Sequence, residues 1–305
     1  MREKWRELLQ NFSQDRRSGS SELAGKAEEI LREYFAENEV ETALAGWPEL
    51  ARKIIEGQPS MAAVINLVNH IGLELEKQEG LRDLMSIARV ISQTISGIDI
   101  SHQKAIEFAA EKLSQFKRIC AYSRSFLVEA AVLEAHSQGA DFSVVLSEAR
   151  PAREGLTLAK KLAAAGIKVE LCVDAALPGK LAECDCLLLG ADAVKEKLFL
   201  NKIGSELLCR EAQRREIPVL VVATKEKLLP PELEKYLHIT DLSREKIFDE
   251  LTPGIFPVNR LFEWCPNELV TLFLGDFGEV RGMDIRKHII SDTISALFAD
   301  YTGSD

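Results

Sequence analysis

Apolar residues in the first third of the chain recur at helical spacing. In "SSELAGKAEEILREYFAE", Leu23, Ala27, Ile30, Leu31 and Tyr34 fall on one stripe with charged residues between them, as they do along the buried face of an α-helix. "MAAVINLVNHIGLEL", "LRDLMSIARVISQTI" and "QKAIEFAAEKLSQF" repeat the pattern, which breaks at Gly57-Gln58-Pro59-Ser60 and at Gly97. The spacing predicts an all-helical N-terminal domain over 1–117.

From about Arg118 the pattern changes. Short apolar runs ("RICAYS", "FSVVLSE", "KVELCVD", "CDCLLLGA", "PVLVVAT") alternate with amphipathic stretches ("FLVEAAVLEAHSQG", "EGLTLAKKLAAAG", "IGSELLCREAQRREI"). Near-continuous apolar strands separated by helices predict a mainly parallel sheet covered on both faces. The class is therefore α/β, with a Rossmann-like C-terminal domain over 118–305. Gly139 and Gly166 stand where two of the helices should stop, because glycine adopts the left-handed conformation that ends a helix. Beyond Pro230 the pattern is weaker. In "PNELVTLFLGDFGEV" the opening Pro266-Asn267-Glu268 favours a helix N-terminus, although the run also fits a strand.

Composition narrows the function classes. The net charge of −10 argues against a nucleic-acid binder, which would carry a basic field. No apolar run is long enough to span a bilayer, and "MREKWRELLQNF" lacks the apolar core of a signal peptide. A cytoplasmic protein with no membrane association is expected. Of the six cysteines, Cys184 and Cys186 are the closest pair, but no second pair or histidine cluster accompanies them, so neither a metal site nor a disulfide framework is expected. There is no Gly-rich dinucleotide fingerprint and no phosphate loop ending in Lys-Ser/Thr. No cofactor is implied. Ser123, His136 and the nearby acids do not form a recognisable triad.

In open α/β sheets, ligands bind beyond the carboxyl ends of the strands. The residues that follow the five runs are Tyr122-Ser123-Arg124, Glu148 with Arg150, Asp174, Gly190-Ala191-Asp192 and Thr224-Lys225. Arg and Lys suit a phosphate, while acids and Asn suit hydroxyls or proton transfer. That mixture points to a phosphorylated, hydroxyl-rich small molecule. Each residue also has a plainer reading. Asp192 serves equally as a turn residue, Asn201 as the cap of a helix beginning near Lys202, Ser123 as another cap, and Arg150 as a surface arginine.

The motifs "AYSRS", "SEARPAREG", "VELCVDAA", "LLLGADAV", "LNKIGS", "IPVLVVAT" and "VNRLFEWCPNELVTLFLGDFG" occur in that order. Together they resemble the alpha, beta and delta regulatory subunits of translation initiation factor 2B, whose superfamily includes methylthioribose-1-phosphate isomerase and ribose-1,5-bisphosphate isomerase. The resemblance covers roughly Arg118 to Val280 and extends more weakly to "DRRSGSSELAGKA". It implies a helical N-terminal domain, a Rossmann-like C-terminal domain, and a homodimer formed through the latter.

In the isomerases a Cys and an Asp flank the sugar as an aldose phosphate becomes a ketose phosphate. The Asp falls on Asp192, the substrate-contacting Asn-Lys on Asn201 and Lys202, and the Arg of the Arg-Pro motif on Arg150. The Cys position falls on Ala121, with Cys120 one residue earlier and directed to the opposite side. Ser123, two residues on, is the other candidate, but its hydroxyl is a far weaker acid than a thiol. Where the isomerases carry Arg-Gly-Ala, this chain has Ser18-Gly19-Ser20, with Arg16 and Arg17 beside it. The loop from Asp192 to Asn201 is one residue short of the isomerase pattern.

The leading expectation is an alpha-subunit-like protein that binds a sugar phosphate or nucleoside monophosphate. Arg124, Arg150 and Lys202 would hold phosphate, Asp192 and Asn201 would hold hydroxyls, and a translation factor is the candidate partner. A divergent aldose-ketose isomerase using Asp192 with Cys120, Tyr122 or Ser123 is the enzymatic alternative. An interaction protein with a vestigial pocket is the third.

Overall fold

A computed structural model describes residues 3–15, 18–77, 83–239, 241, 243, 245, 247–250, 252–289 and 294–299. Arg16 and Arg17 lie outside the described residues. The chain divides into two compact units, one made of Met1–Ser101, Glu226–His238 and Ile289–Asp305, the other of His102–Lys225 and Ile239–His288. The expected boundary at 117/118 is where the first strand starts, whereas the compact units are cut earlier and the first takes back two later segments.

The first unit is helical, as its periodicity predicts. It contains α1 (Lys4–Gln14), α2 (Ser20–Glu37), α3 (Val40–Gly57), α4 (Ala62–Lys77) and the first part of α5 (Leu84–Leu113). The stripe read from the sequence is its core: Leu23, Ala27, Ile30, Leu31 and Tyr34 are all buried. The Trp5 and Tyr34 rings meet edge to face at 5.1 Å, and the Tyr34 hydroxyl donates to Ala43 O at 3.1 Å. The returning segment is fastened by side chains. The Asn66 amide donates to Glu226 O at 2.8 Å and Leu228 O at 2.9 Å, and the Tyr236 hydroxyl donates to Phe298 O at 2.6 Å. Each of these bonds satisfies a buried backbone carbonyl that no regular ladder reaches. Among the described residues no helix is long and apolar enough to cross a membrane.

The second unit is the α/β part. Its strands are β1 (Arg118–Ala121), β2 (Ser143–Ser147), β3 (Lys168–Cys172), β4 (Cys186–Gly190), β5 (Ala193–Val194), β6 (Leu198–Lys202), β7 (Val219–Val222), β8 (Phe262–Pro266), β9 (Leu272–Gly275) and β10 (Gly278–Arg281). Helices α6 (Phe126–Ser137), α7 (Glu154–Ala164), α8 (Leu177–Leu181) and α9 (Ser205–Arg214) connect them. Seven strands form one sheet in the order β10-β9-β7-β4-β1-β2-β3, parallel except for the β9–β10 hairpin. The five apolar runs are β1, β2, β3, β4 and β7, so they are the parallel core of this sheet. Gly139 and Gly166 have φ of 93° and 90° at the ends of α6 and α7, the left-handed stops expected there.

The break read at Gly97 is absent, because α5 runs through it, and two other readings of the sequence are corrected, the plainer one of Asn201 and the helix expected after Pro266. Asn201 and Lys202 do not begin a helix. They end β6, in a second sheet of order β5-β6-β8, and α9 starts only at Ser205. The run after Pro266 is not a helix but a single 3-10 turn, Asn267–Leu269, followed by β9 and β10. The Asn267 amide donates to Lys195 O at 2.9 Å instead of capping a helix, and Leu272 to Gly275 join the parallel sheet beside β7. An apolar run so short carries no period that separates strand from helix.

Candidate functional site

β1 pairs with β2 on one side and β4 on the other, both in parallel. The strand order reverses across the β1–β4 pair, the place where open α/β sheets hold their ligands. Register Ala121↔Leu188 brings Tyr122-Ser123-Arg124 opposite the end of β4, where Gly190 leads to Asp192. The approach is close. A Cβ on Gly190 would lie 2.6 Å from Ser125 Cβ, so only glycine fits there.

The loops beyond β1 and β2 hold unusual backbone. Ser123, Ala149 and Arg153 have φ of 66°, 59° and 62°, a region that side chains other than glycine seldom adopt, and one that recurs at functional sites. Neighbouring elements hold them. Asp174, just past β3, accepts from Ala149 N–H at 2.8 Å and Arg150 N–H at 2.7 Å. Tyr122 donates its hydroxyl to Ile203 O at 2.6 Å, and burial, with Asp174 and Glu154 nearby, pushes its phenol well up.

At the centre stands a carboxylate that the sequence reading passed over. Glu154, the first residue of α7, accepts from the Ser123 hydroxyl at 2.7 Å and from the Lys202 ammonium through the same oxygen, Oε1. Lys202 is only 2% exposed. Burial pulls its pKa down, while Glu154, Asp174 and Asp192 oppose that shift. Asp192 is half-buried, and its N–H donates to Leu200 O at 2.8 Å, which places it at the root of the β5–β6 hairpin. The Asn201 amide donates to Ser205 Oγ at 2.9 Å. Ser123, Glu154, Lys202 and Asp192 thus come from four elements that meet at the strand ends.

The arginines are placed differently. Arg124 donates through Nε to Glu129 Oε2 at 2.8 Å, and Glu129 also receives Lys161 at 2.5 Å. Arg150 has an exposed side chain and is held through its backbone by Asp174. Arg153 pairs with Glu148 at 3.2 Å.

Cys120 lies away from this cluster. It is a free thiol, and the neighbouring Cys184 thiol together with burial raises its pKa. Ala121, the position aligned with the isomerase Cys, is 1% exposed and packs in the apolar layer with Leu127 and Val128 of α6. The residue that reaches Glu154 is Ser123, two positions beyond the end of β1. Among the described residues no group of His, Cys, Asp and Glu is arranged to hold a metal, Cys184 and Cys186 included.

Three acids in all, Glu154 among them, escaped the sequence reading. Glu154 stands three residues after Pro151 of the Arg-Pro motif, but an acid in the first turn of a helix is ordinarily explained by the helix dipole alone. Glu129 reads as one more surface charge of α6 and is instead 7% exposed. Glu263 on β8 accepts from Gly204 N–H at 2.7 Å and Glu206 N–H at 2.9 Å at the start of α9. No local signal links it to a helix so far away in sequence.

The family model described as "Initiation factor 2 subunit family" matches residues 16–282. A ribose 1,5-bisphosphate isomerase of Archaeoglobus fulgidus is 23% identical over 270 residues, covering 86% of this chain and 85% of the relative. A translation initiation factor eIF-2B subunit 2-like protein of Pyrococcus furiosus is 29% identical over 225 residues, covering 72% and 78%. The crystal structure of translation initiation factor eIF-2B from Pyrococcus horikoshii OT3 superimposes with a TM-score of 0.81 at 23% identity, covering 92% of this chain and 98% of the other.

Proposed function

The chain belongs to the initiation factor 2 subunit family, and we propose that it binds a sugar phosphate or nucleoside monophosphate in the crevice at the ends of β1 and β4. In this reading it is a ligand-responsive, cytoplasmic member of the family and not an efficient isomerase. One observation carries the reading. The residue that β1 brings to Glu154 and Lys202 is Ser123, a hydroxyl, where the chemistry of the isomerases uses a thiol. Moving hydrogen between adjacent carbons requires an acid and a base of matched strength. Asp192 supplies one, and a serine hydroxyl is too weak an acid for the other. Hydroxyl recognition has no such requirement. Asp192, Asn201 and Glu154 are the groups offered to it.

A thermal-shift screen with ribose 1,5-bisphosphate, methylthioribose 1-phosphate and adenosine monophosphate tests this. A ligand that binds the folded state raises the melting temperature by mass action, and a flat response to all three at millimolar concentration would refute the reading.

The isomerase alternative is favoured by the name of the Archaeoglobus relative, which matches along most of both chains. Turnover of ribose 1,5-bisphosphate that disappears in Asp192→Asn would establish it. The reading also includes a homodimer through the second unit. It is supported by the exposed apolar side chains of Phe256 and Val258, at 86% and 69%, which a second copy would cover. A translation factor is the expected further partner.

A further inference from the structure

The charges at the strand ends do not suit a phosphate in the way the residue list alone suggests. Lys202 was expected to hold phosphate, yet its ammonium already faces the Glu154 carboxylate at 2% exposure. Arg124 is turned to Glu129 and Arg153 to Glu148. Asp174 and Asp192 add two more acids near Lys202. A doubly charged phosphate placed beside Lys202 would have to meet Glu154, and the low dielectric of a buried site makes that repulsion strong. Glu154 has a second property. Its Oε1 takes both the Ser123 hydroxyl and Lys202, while Oε2 is buried and receives no hydrogen bond among the described residues. A buried carboxylate oxygen without a donor is costly, and a ligand hydroxyl is a donor that relieves the cost.

We propose that Glu154 is the specificity-determining residue of the crevice: by engaging Lys202 it makes this end a hydroxyl-binding site and directs the ligand's phosphate away, toward the exposed Arg150. The inference rests on the sugar-phosphate reading above and deepens it, by giving the ligand an orientation. The carbon chain enters with its hydroxyls at Glu154, Asp192 and Asn201, and the phosphate stays at the mouth. The preferred class is a phosphorylated sugar with free hydroxyls, ahead of its deoxy counterpart and ahead of inorganic phosphate.

Calorimetric titration of the full chain with ribose 5-phosphate, 2-deoxyribose 5-phosphate and inorganic phosphate tests this, on the wild type, Glu154→Gln and Glu154→Asp. Glutamine keeps the shape and an oxygen for Ser123 and Lys202 but removes the charge. In Glu154→Gln, inorganic phosphate should bind about tenfold tighter and the preference of the ribose ester over the deoxy ester should shrink by about tenfold, the size of one charged hydrogen bond. Glu154→Asp keeps the charge and should leave phosphate weak. Unchanged phosphate affinity in a folded Glu154→Gln would overturn the proposal. If that variant does not fold, the wild type decides alone, because equal binding of the two sugar esters overturns it and preference for ribose supports it. Failure of the wild type to bind either sugar, with tighter phosphate binding in Glu154→Gln, would instead overturn the sugar-phosphate reading and leave the role of Glu154 standing.

Discussion

Lys202 and Glu154, separated by 48 positions in sequence, form an ion pair at the strand ends in which the lysine is almost wholly enclosed. Taking two charges out of water is costly, and their mutual attraction offsets this only while both partners remain. Lys202→Met leaves Glu154 uncompensated and should lower stability by about 3–5 kcal/mol, measured by urea unfolding. A loss below about 1 kcal/mol would mean that the pair is open to water and screened.

The same lysine gives a pH signature. Burial holds its folded pKa below the usual 10.5, so in the window between the two values the unfolded chain binds more protons. Stability must then rise with pH. The contribution is fully present above 10.5 and is lost as pH falls through the folded value. Relative to Lys202→Met, the unfolding free energy of the wild type should therefore climb through the alkaline range below 10.5. A flat or falling difference would show that Glu154 outweighs burial.

Positions 121 and 123 separate two accounts of the missing thiol. Ser123→Cys puts sulfur beside Glu154 and should produce weak turnover of ribose 1,5-bisphosphate if the scaffold retains isomerase geometry. Ala121→Cys puts it in the apolar layer under α6. There it should give no activity and cost about 1–3 kcal/mol by overpacking. Activity from Ala121→Cys alone would mean that the strand end rearranges around substrate.

Gly190→Ala tests the close approach of β4 to the loop after β1. The added methyl meets Ser125 at 2.6 Å and should cost about 1–3 kcal/mol. It should also weaken ligand binding, because the loop it displaces carries Ser123. Stability lost with binding intact would separate the close approach from the site.

Asn66→Ala tests the fastening of the returning segment in the first unit. It removes donors to two carbonyls, Glu226 O and Leu228 O, and should cost about 1–3 kcal/mol. Thermal melting and hydrogen exchange at 226–228 report it.

The apolar runs and helical stripes made the parallel sheet and the helical unit legible, because burial on both faces leaves unbroken hydrophobic stretches and burial on one face leaves a period. The strand-end rule then led to Ser123, Arg150 and Asp192, and the motif resemblance to Asn201 and Lys202, without contacts. Pairing was not legible. Glu154 meets Lys202 because the start of α7 and the end of β6 come together at the strand ends, and Glu263 meets the start of α9 because β8 pairs with β6 in a second sheet that no local pattern announces. Two-residue β5 and the 3-10 turn at Asn267 were equally silent, being shorter than any period.

Glu263 has a consequence for any anion that enters. A helix start normally offers its unpaired N–H groups and partial positive charge to a phosphate. Here α9 begins three residues after Lys202, and the Glu263 carboxylate occupies both Gly204 N–H and Glu206 N–H. The helix that stands nearest to Lys202 in sequence is already carrying an anion of its own. A visiting phosphate would have to evict it, so the positive end of α9 braces β8 and is closed to recognition.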